Sequence, residues 1–474
     1  MLRHGFWVGL VATLLSGGLF YLSLDTGPLP FLVLAAPIPI LVYALRTPKL
    51  GAALLGAFIA NAIGRLGFVA AYAGIFPAGV LIVWLIALPL HFTLVVVLTR
   101  AIAQRLSAAH ALFAYPLIFS ASEFLITTQS PHGSYGALGY GLTTLMPFNQ
   151  LASLGGVTAL TFVAALIPMA ASLLLTGGLS RRRLVILAAV PLLPAAIFGA
   201  VRLQEAGGTE QRIALAAIDA VQDDEIDTPD AGEAAAAAYA TLLDQIAPTK
   251  PDVIVLPEKS LVHRPGWQDP GEILAAFADR TGIPVVGGFA EWHGAHDGAN
   301  VATLYRPQQP AQHYVKRHLI PGLEDAFARG NAPLILGTIG IAICKDMDFA
   351  PTIRAYGQAG VTLMLVPAWD FRADADLHAR MAVLRGIEND FAVARSAANG
   401  LLTVSDAYGR MLAYQPADAS TPATLTVNAA TGGGTTLYAR IGDTFAWICV
   451  AASALLLAAL LLPRRAVKAK AARG

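Results

Sequence analysis

Cysteine and charge are both scarce in this chain. Two cysteines occur in 474 residues, and Asp, Glu, Lys and Arg together make up 13% of them. Cys449 lies in a long hydrophobic stretch near the C-terminus, too far into lipid to be an obvious disulfide partner. That leaves Cys344 as the only cysteine outside an apparent membrane span. A lone thiol in a domain that faces an oxidising compartment is either a tolerated accident or a nucleophile. The formal net charge of +1 carries no basic footprint, so nucleic acid is not an expected partner. Acidic residues are rarer still in the first two hundred positions and the last thirty. Nearly all of them fall between Glu205 and Asp443, which separates a membrane part from a water-soluble part.

Hydrophobic length is what the chain has in excess, with a mean hydropathy of +0.60. Apolar stretches of spanning length run at Phe6–Leu24, Phe31–Leu45, Leu50–Ala73, Val80–Leu98, Ala109–Ile126, Leu151–Leu175, Leu184–Val201 and Thr444–Leu462. The second is short and holds Pro37 and Pro39. Basic residues fall on alternate loops: Arg3, Arg46 with Lys49, Arg100 with Arg105, Arg181-Arg182-Arg183, and the tail Arg464, Arg465, Lys468 and Lys470. All five clusters land on one side if the N-terminus is cytoplasmic. Seven spans then precede a domain placed outside, and an eighth returns the tail inside. The first span lacks a small-residue cleavage site before Asp25 and is read as retained. The expected division is a seven-span domain over 1–203, a catalytic domain over 204–440, and an eighth span with a basic cytoplasmic tail over 441–474.

Between Arg212 and Val427 short β-rich runs alternate with helical ones, which predicts an α/β domain. Strands are expected at Ile213–Ile218, Val253–Leu256, Val285–Phe289, Val301–Tyr305, Ile339–Ile343, Leu363–Val366, Phe391–Ala394 and Leu402–Ser405. Helices are expected at Ala234–Gln245, Gly271–Arg280, Pro351–Ala359 and Asp374–Glu388. Three polar residues stand at strand ends. Val253–Leu256 leads through Pro257 to Glu258, His313-Tyr314-Val315 leads to Lys316, and Gly340–Ile343 leads to Cys344. Sites in α/β sheets form at strand ends. A carboxylate to take the thiol proton, an ammonium to lower the thiol pKa and hold an oxyanion, and a thiolate to attack a carbonyl form a complete set. Each residue alone is more often a solvated cap or a small core residue.

In this order and on these strands, Glu258, Lys316 and Cys344 resemble the Glu-Lys-Cys triad of the nitrilase, or carbon–nitrogen hydrolase, superfamily. The resemblance implies an αββα sandwich, so the expected fold is a multi-span α-helical membrane domain plus an α/β nitrilase-like sandwich. The segment His378–Met381 through Arg385–Asn389, then Arg395, Asn399-Gly400 and Ser405–Arg410, is similar to that superfamily's C-terminal half. A nitrilase domain set between seven spans and one resembles the layout of the apolipoprotein N-acyltransferase family. Ser122-Glu123-Phe124, Pro131-His132-Gly133 with Leu138-Gly139-Tyr140, and Gln150 with Gly155-Gly156-Val157 and Phe162 resemble that family's membrane motifs. Thr436–Asp443 resembles its Thr-Pro-Tyr-x-Arg-x-Gly-Asp junction, an element that soluble nitrilases lack. The chain departs from the family at Lys345-Asp346, where Tyr-Glu is usual, at Pro321–Asp325, which keeps Glu324 but loses the aromatics, and at Val366–Asp370.

The resemblance implies a ping-pong acyl transfer. Cys344 attacks a phospholipid ester to form a thioester, and the free α-amine of a diacylated lipoprotein's N-terminal cysteine then takes the acyl chain. It implies Glu258 as base, Lys316 with the backbone N–H after Cys344 as oxyanion donors, and Glu324 as the group that orients Lys316 or Glu258. It also implies a multi-pass protein of the bacterial inner membrane with its catalytic domain on the periplasmic side. Trp369, Trp267 and Trp292 are candidate substrate-binding residues, and with Phe371 candidates for the loops that shield the thioester from water. For each, a place in a core or interface is the alternative. The triad does not separate transferase from hydrolase, so a membrane-anchored amidase of the same superfamily stays open. A transporter with a soluble accessory domain has little in its favour, because charges within the spans are few, Arg65 and Glu123 among them. Arg65 is a headgroup or partner contact on one reading, a snorkelling or interhelical residue on the other. No cofactor or metal is expected: His293 and His296 share a polar loop without a third ligand. Gly432-Gly433-Gly434 reads as a linker. A monomer is expected.

Overall fold

The computed structural model describes residues 2–205, 207–218, 226–294, 297–417 and 421–462. The basic tail at Arg464, Arg465, Lys468 and Lys470, the side chain of Arg3, and His296 lie outside the described residues. Helices α1 (Leu2–Ser23), α2 (Ile38–Arg46), α3 (Leu50–Gly64), α4 (Leu66–Tyr72), α5 (Ala78–Arg105), α6 (Ala108–Gln129), α7 (Ala152–Thr176) and α8 (Arg181–Arg202) form the N-terminal bundle. Seven helical segments among the described residues are long and apolar enough to cross a membrane, with α3 and α4 counted as one segment and Thr444–Leu461 as the last. The second expected span differs. It is a shorter element, Pro30–Arg46, split into the 3-10 turn Pro30–Leu34 and α2. Pro37 and Pro39 are the reason: they stand at the start of α2, where a missing N–H is tolerated, and not within a continuous helix.

Small residues let the helices approach. Ala53, Gly56, Ala57, Ala60, Asn61 and Gly64 form the buried side of α3, which packs on α1. A Cβ on Gly64 would stand 2.4 Å from the Cβ of Phe20. At one end of the bundle Arg46 donates to the Leu175 carbonyl, Arg100 to those of Ala44 and Thr47, and Arg105 to that of Leu462. Three loops and the end of the last helix therefore share a basic pole.

The second domain carries helices α9 (Pro229–Ile246), α10 (Gly271–Thr281), α11 (Ala350–Gln358) and α12 (Ala375–Asn389). Its strands are β1 (Glu210–Ala217), β2 (Val253–Val255), β3 (Leu261–His263), β4 (Val285–Trp292), β5 (Gly298–Tyr305), β6 (Gln312–Val315), β7 (Phe327–Ala328), β8 (Leu334–Leu336), β9 (Ile339–Ile341), β10 (Leu363–Trp369), β11 (Ala392–Ala398), β12 (Leu401–Ser405), β13 (Met411–Pro416) and β14 (Ala423–Ala430). One sheet runs β14-β1-β2-β4-β5-β6, with β3 beside β4 and β7 beside β5, and the other runs β13-β12-β11-β10-β9-β8. Side-chain alternation sorts the layers. Ile213, Leu215, Val253 and Val255 face Ile341, Leu363, Leu365 and Ala394 between the sheets. Their neighbours Ala214, Ala216 and Ile254 face Tyr239, Leu243 and Phe277 of α9 and α10. On the other side Met364, Val366 and Val393 meet Ile353, Tyr356 and Ala382 of α11 and α12. The result is an αββα sandwich. After it come α13 (Leu437–Ile441) and α14 (Thr444–Leu461).

The sandwich docks on the bundle end opposite the basic pole, and α12 is the joint. Its buried residues include Leu377, Met381, Leu384 and Ile387, which pack on Ala137, Tyr140 and Leu160. Helix α7 is unwound at Gly155 and Gly156, the latter at φ 66° against the Tyr438 ring, and Val157 N–H donates to Glu388 at 2.8 Å. Glu388 in turn lies 2.8 Å from Arg385, and Arg385 donates to the Tyr140 hydroxyl. Gln150 donates to the Tyr408 carbonyl, and Thr436 to that of Glu388. Gly432 is packed rather than loose: a Cβ there would lie 1.7 Å from the Asp390 carbonyl oxygen.

Arg385→Met should strand the Glu388 carboxylate in this interface. The expected cost is about 3–5 kcal/mol, the range for breaking a buried pair. Thermal unfolding of the purified protein in detergent reads it, and a further Glu388→Gln change should restore most of the lost stability.

Candidate active site

Four strand ends converge. Glu258 follows β2, and its N–H donates to the Ala368 carbonyl of β10 at 3.2 Å. This crossing needs Gly288 on β4, since a Cβ there would lie 2.1 Å from the Pro257 carbonyl oxygen. Lys316 follows β6, its N–H bound to the Asn300 carbonyl of β5. Cys344 opens a 3-10 turn, Cys344–Asp348, just past β9, with φ at 39°. Left-handed backbone at a non-glycine residue costs energy and persists only where surroundings enforce it. Asp346 is the enforcing group. It accepts the Ile343 N–H within the turn, the N–H groups of Arg317 and His318 beyond Lys316, and the Tyr314 hydroxyl. One carboxylate thus ties the cysteine turn to the lysine strand. Burial pushes its pKa up to about 6.

Lys316 is fully buried between two carboxylates. Its Nζ lies 2.6 Å from Glu258 Oε1 and 2.8 Å from Glu324 Oε2. The Asn300 amide donates to both, at 2.6 Å to Glu258 and 2.8 Å to Glu324. Burial opposes the ammonium, but Glu258 and Glu324 outweigh it and hold Lys316 well above its ordinary pKa. Burial also opposes ionisation of Glu324, and Lys316 outweighs it, so that carboxyl sits below its ordinary range. The Lys316 and Asn300 bonds to Glu258 both fall on Oε1, which leaves Oε2 for a proton. The Cys344 thiol donates to the Trp369 carbonyl at 3.2 Å. Burial and the Glu258 charge push its pKa well up, against the pull of Lys316 and Arg395. The resting group is a thiol, next to a base and an ammonium.

A second network backs the cysteine. Arg395 grips Asp370 through both terminal nitrogens. His378 Nδ1 stands 3.4 Å from Asp370 and 3.3 Å from Asp374. Burial opposes its charge, but Asp374 and Asp370 hold it well above the ordinary histidine value. Tyr72, at the end of α4, donates to Asp374 and contacts the Tyr135 hydroxyl at 2.6 Å. Asp370, Asp374 and His378 stand close enough together to hold a metal ion. Arg395 and Tyr72 already occupy the two carboxylates, so the cluster is built as an ion-pair network. The strand-end pattern does not pick out Asp346, Asp370, Asp374 or His378. The one sequence signal was their place within, or next to, the segments that resemble the superfamily.

Cys344 opens into a cavity of about 40 Å³ lined by Tyr72, Tyr135, Ile320, Trp369, Phe371 and His378, among others. Beyond it lies a chamber of about 640 Å³ inside the helical bundle, and Phe76, Trp84, His132 and Tyr135 line both. Trp369 is therefore at the thiol. Trp267 and Trp292 are elsewhere: they flank the Arg264 guanidinium, at 5.6 and 4.9 Å, and Trp292 packs on Phe327.

Glu258→Gln separates two roles of the carboxylate. It removes the proton acceptor, so turnover should fall by about two to four orders of magnitude. It also removes the negative charge that raises the thiol pKa, so the titration of Cys344 should move to lower pH. Iodoacetamide labelling of Cys344 against pH, followed by mass spectrometry, checks this; a midpoint that stays or rises contradicts it.

With this geometry in place, comparisons place the chain among known proteins. A carbon–nitrogen hydrolase family model matches residues 220–431, and a model of the apolipoprotein N-acyltransferase N-terminal domain matches residues 16–170. The chain is similar to the apolipoprotein N-acyltransferase of Geobacter metallireducens, 28% identical over 472 residues, covering 85% of this chain and 88% of that protein. It is 26% identical over 451 residues to the apolipoprotein N-acyltransferase of Chromobacterium violaceum, covering 86% and 84%. Among solved structures it matches an amidase from Nesterenkonia sp. at 20% identity, over 48% of this chain and 92% of that one, with a TM-score of 0.39. Two family models in tandem and two relatives matched along most of their length agree: the chain joins an apolipoprotein N-acyltransferase N-terminal domain to a carbon–nitrogen hydrolase domain, and it is similar to apolipoprotein N-acyltransferases over most of its length.

Proposed function

We propose that this multi-pass membrane protein is an N-acyltransferase that moves a fatty acyl chain from a membrane phospholipid, through a thioester on Cys344, to the free α-amine of the lipid-modified N-terminal cysteine of lipoproteins. The observation that carries the reading is the shared wall between the thiol cavity and the large apolar chamber in the bundle. A soluble amide has no use for such a chamber, whereas an acyl chain has.

Glu258 Oε2 takes the Cys344 proton as sulfur attacks the ester carbonyl. The oxyanion meets Lys316 Nζ and the Lys345 N–H. Collapse breaks the ester C–O bond, and the lysophospholipid oxygen leaves with the proton from Glu258. In the second half-reaction the amine attacks the thioester, gives its proton to Glu258, and expels the thiolate, which is then reprotonated. Glu324 keeps Lys316 charged and aimed. Trp369 and Phe371 keep water from the thioester, while Trp267 and Trp292 pack around Arg264 outside the thiol cavity. The basic pole supports an orientation with that end in the cytoplasm and the sandwich on the periplasmic side of the bacterial inner membrane.

Incubation with phospholipid alone should add one acyl mass to Cys344, and a diacylated lipopeptide with a free N-terminus should then remove it and gain the same mass. An adduct that never forms, or that decays to free fatty acid at the same rate with and without lipopeptide, contradicts the transferase. Cys344→Ala should abolish the adduct while leaving the protein folded and inserted. Reporter fusions should behave as cytoplasmic at Arg182 and as periplasmic at Gly433; a cytoplasmic signal at Gly433 reverses the orientation.

A further inference from the structure

Arg65 is the one arginine or lysine among the described residues that line the large chamber. It stands where the segment breaks between α3 and α4, and its side chain is 13% exposed. Its use there is only partial. Nη1 contacts both oxygens of Asp25, at 2.6 and 2.8 Å. Nε is buried with no hydrogen-bond partner among the described residues, and both Asp25 contacts fall on Nη1, away from Nη2. One turn earlier, Asn61 lines the same chamber with its side-chain carbonyl oxygen also buried and unpartnered. A guanidinium carries five N–H donors, and its Nε–Nη2 edge is a planar fork that matches two oxygens of a phosphate. A buried donor edge left empty is costly, so such an edge implies a ligand that fills it.

We infer that the free edge of Arg65 binds the phosphodiester of the acyl-donor lipid. The inference rests on the transferase reading and names how that site recognises its donor. Position supports it. Phe76, Trp84, His132 and Tyr135 line both the chamber holding Arg65 and the cavity holding Cys344, so the cation and the thiol open on adjoining spaces. In a glycerophospholipid the phosphate and the scissile ester are likewise only a few bonds apart. Asp25 cancels the charge of the empty site and keeps Nη1 occupied, which leaves the other edge aimed. The acceptor, a diacylglyceryl-modified cysteine, carries no phosphate, so Arg65 belongs to the first half-reaction alone.

The test compares two esters, dipalmitoyl phosphatidylethanolamine and dipalmitoylglycerol, as acyl donors to Cys344 in detergent-solubilised full-length protein. Intact mass gives the acylation rate for each. Wild type should favour the phospholipid. Arg65→Gln should lower the phospholipid-to-diacylglycerol rate ratio by at least about tenfold, the scale of one lost charge-assisted contact. Because Arg65→Gln strands Asp25, the Asp25→Asn/Arg65→Gln double variant is measured too and should show the same ratio. Asp25→Asn alone leaves the cation in place and should hold the ratio at or above the wild-type value. A ratio unchanged in both Arg65 variants, in proteins that still acylate, overturns the assignment and leaves the transferase standing. Inorganic phosphate that competes as well as lysophosphatidylethanolamine would overturn the lipid as the source of the anion. A wild-type enzyme that takes an acyl chain from neither ester overturns the transferase and this inference with it.

Discussion

One ammonium between two carboxylates sets the chemistry of this molecule. Lys316 has no exposed surface, and Glu258 and Glu324 are almost as deeply buried. A lone charge at such a depth would be lost by proton transfer or by unfolding. Here each charge is kept by the others, and Asn300 spans both acids with one amide nitrogen. The trio carries one net negative charge. Burial raises the Cys344 thiol pKa most and the Glu258 charge adds to it, against the pull of Lys316, so the resting sulfur is a thiol. The same arrangement fixes Lys316 as a permanent donor. Its ammonium cannot serve as the acid, which leaves proton transfer to Glu258.

The sandwich delivers these groups through strand ends, and the bundle closes the site from the other side. Neither half holds the cavity alone. Trp369, Phe371 and His378 come from the sandwich, and Tyr72, Phe76 and Trp84 from the bundle. The two are joined through polar atoms that would be orphaned apart. The unwound turn of α7 frees the Val157 N–H, which Glu388 accepts. Ser134 caps the cysteine turn by donating to the Asp348 carbonyl, and Gly133 beside it leaves no room for a Cβ against that carbonyl oxygen. The membrane motifs Pro131–Gly133, Leu138–Tyr140 and Gly155–Val157 are thus joint residues: Gly133 meets the Asp348 carbonyl, Tyr140 the side chains of Arg380 and Arg385, and Val157 the Glu388 carboxylate.

Legibility followed local pattern. Strands β1, β2, β4, β5, β9, β10, β11 and β12 were readable because burial on both faces leaves continuous apolar runs. The short β3, β7 and β8 carry too few residues to show a period. Strand β14 pairs with β1 along its whole length, yet its Ala and Thr give little contrast between faces. At the site, a charged residue straight after an apolar run marked Glu258, Lys316 and Cys344. Asp346 looked like a loss, an aspartate where the family has glutamate, and in space it is the group that holds the cysteine turn. Aromatic content could not separate Trp369, at the thiol, from Trp267 and Trp292 around Arg264, since all three stand in polar loops or at strand ends. Only the partner from a distant segment tells them apart.

Charge placement within the bundle follows the same logic as the triad. Asp25 and Glu123 are the acids of the first two hundred residues, and both face the chamber. Glu123 is spent on structure: its two oxygens accept the Leu138 N–H and the Thr161 hydroxyl, which fixes the loop before α7. Asp25 is spent on Arg65. Each acid is therefore answered, and among the described chamber residues the buried side-chain atoms left without a partner are Arg65 Nε, Asn61 Oδ1 one turn away and the Tyr115 hydroxyl, of which Arg65 alone carries charge. An apolar chamber whose residual polarity is a cationic donor discriminates by headgroup without touching the acyl chain. On the proposal made for Arg65, the chain length that fits is a matter of chamber volume and the choice of donor lipid a matter of the cation, so the two can vary independently.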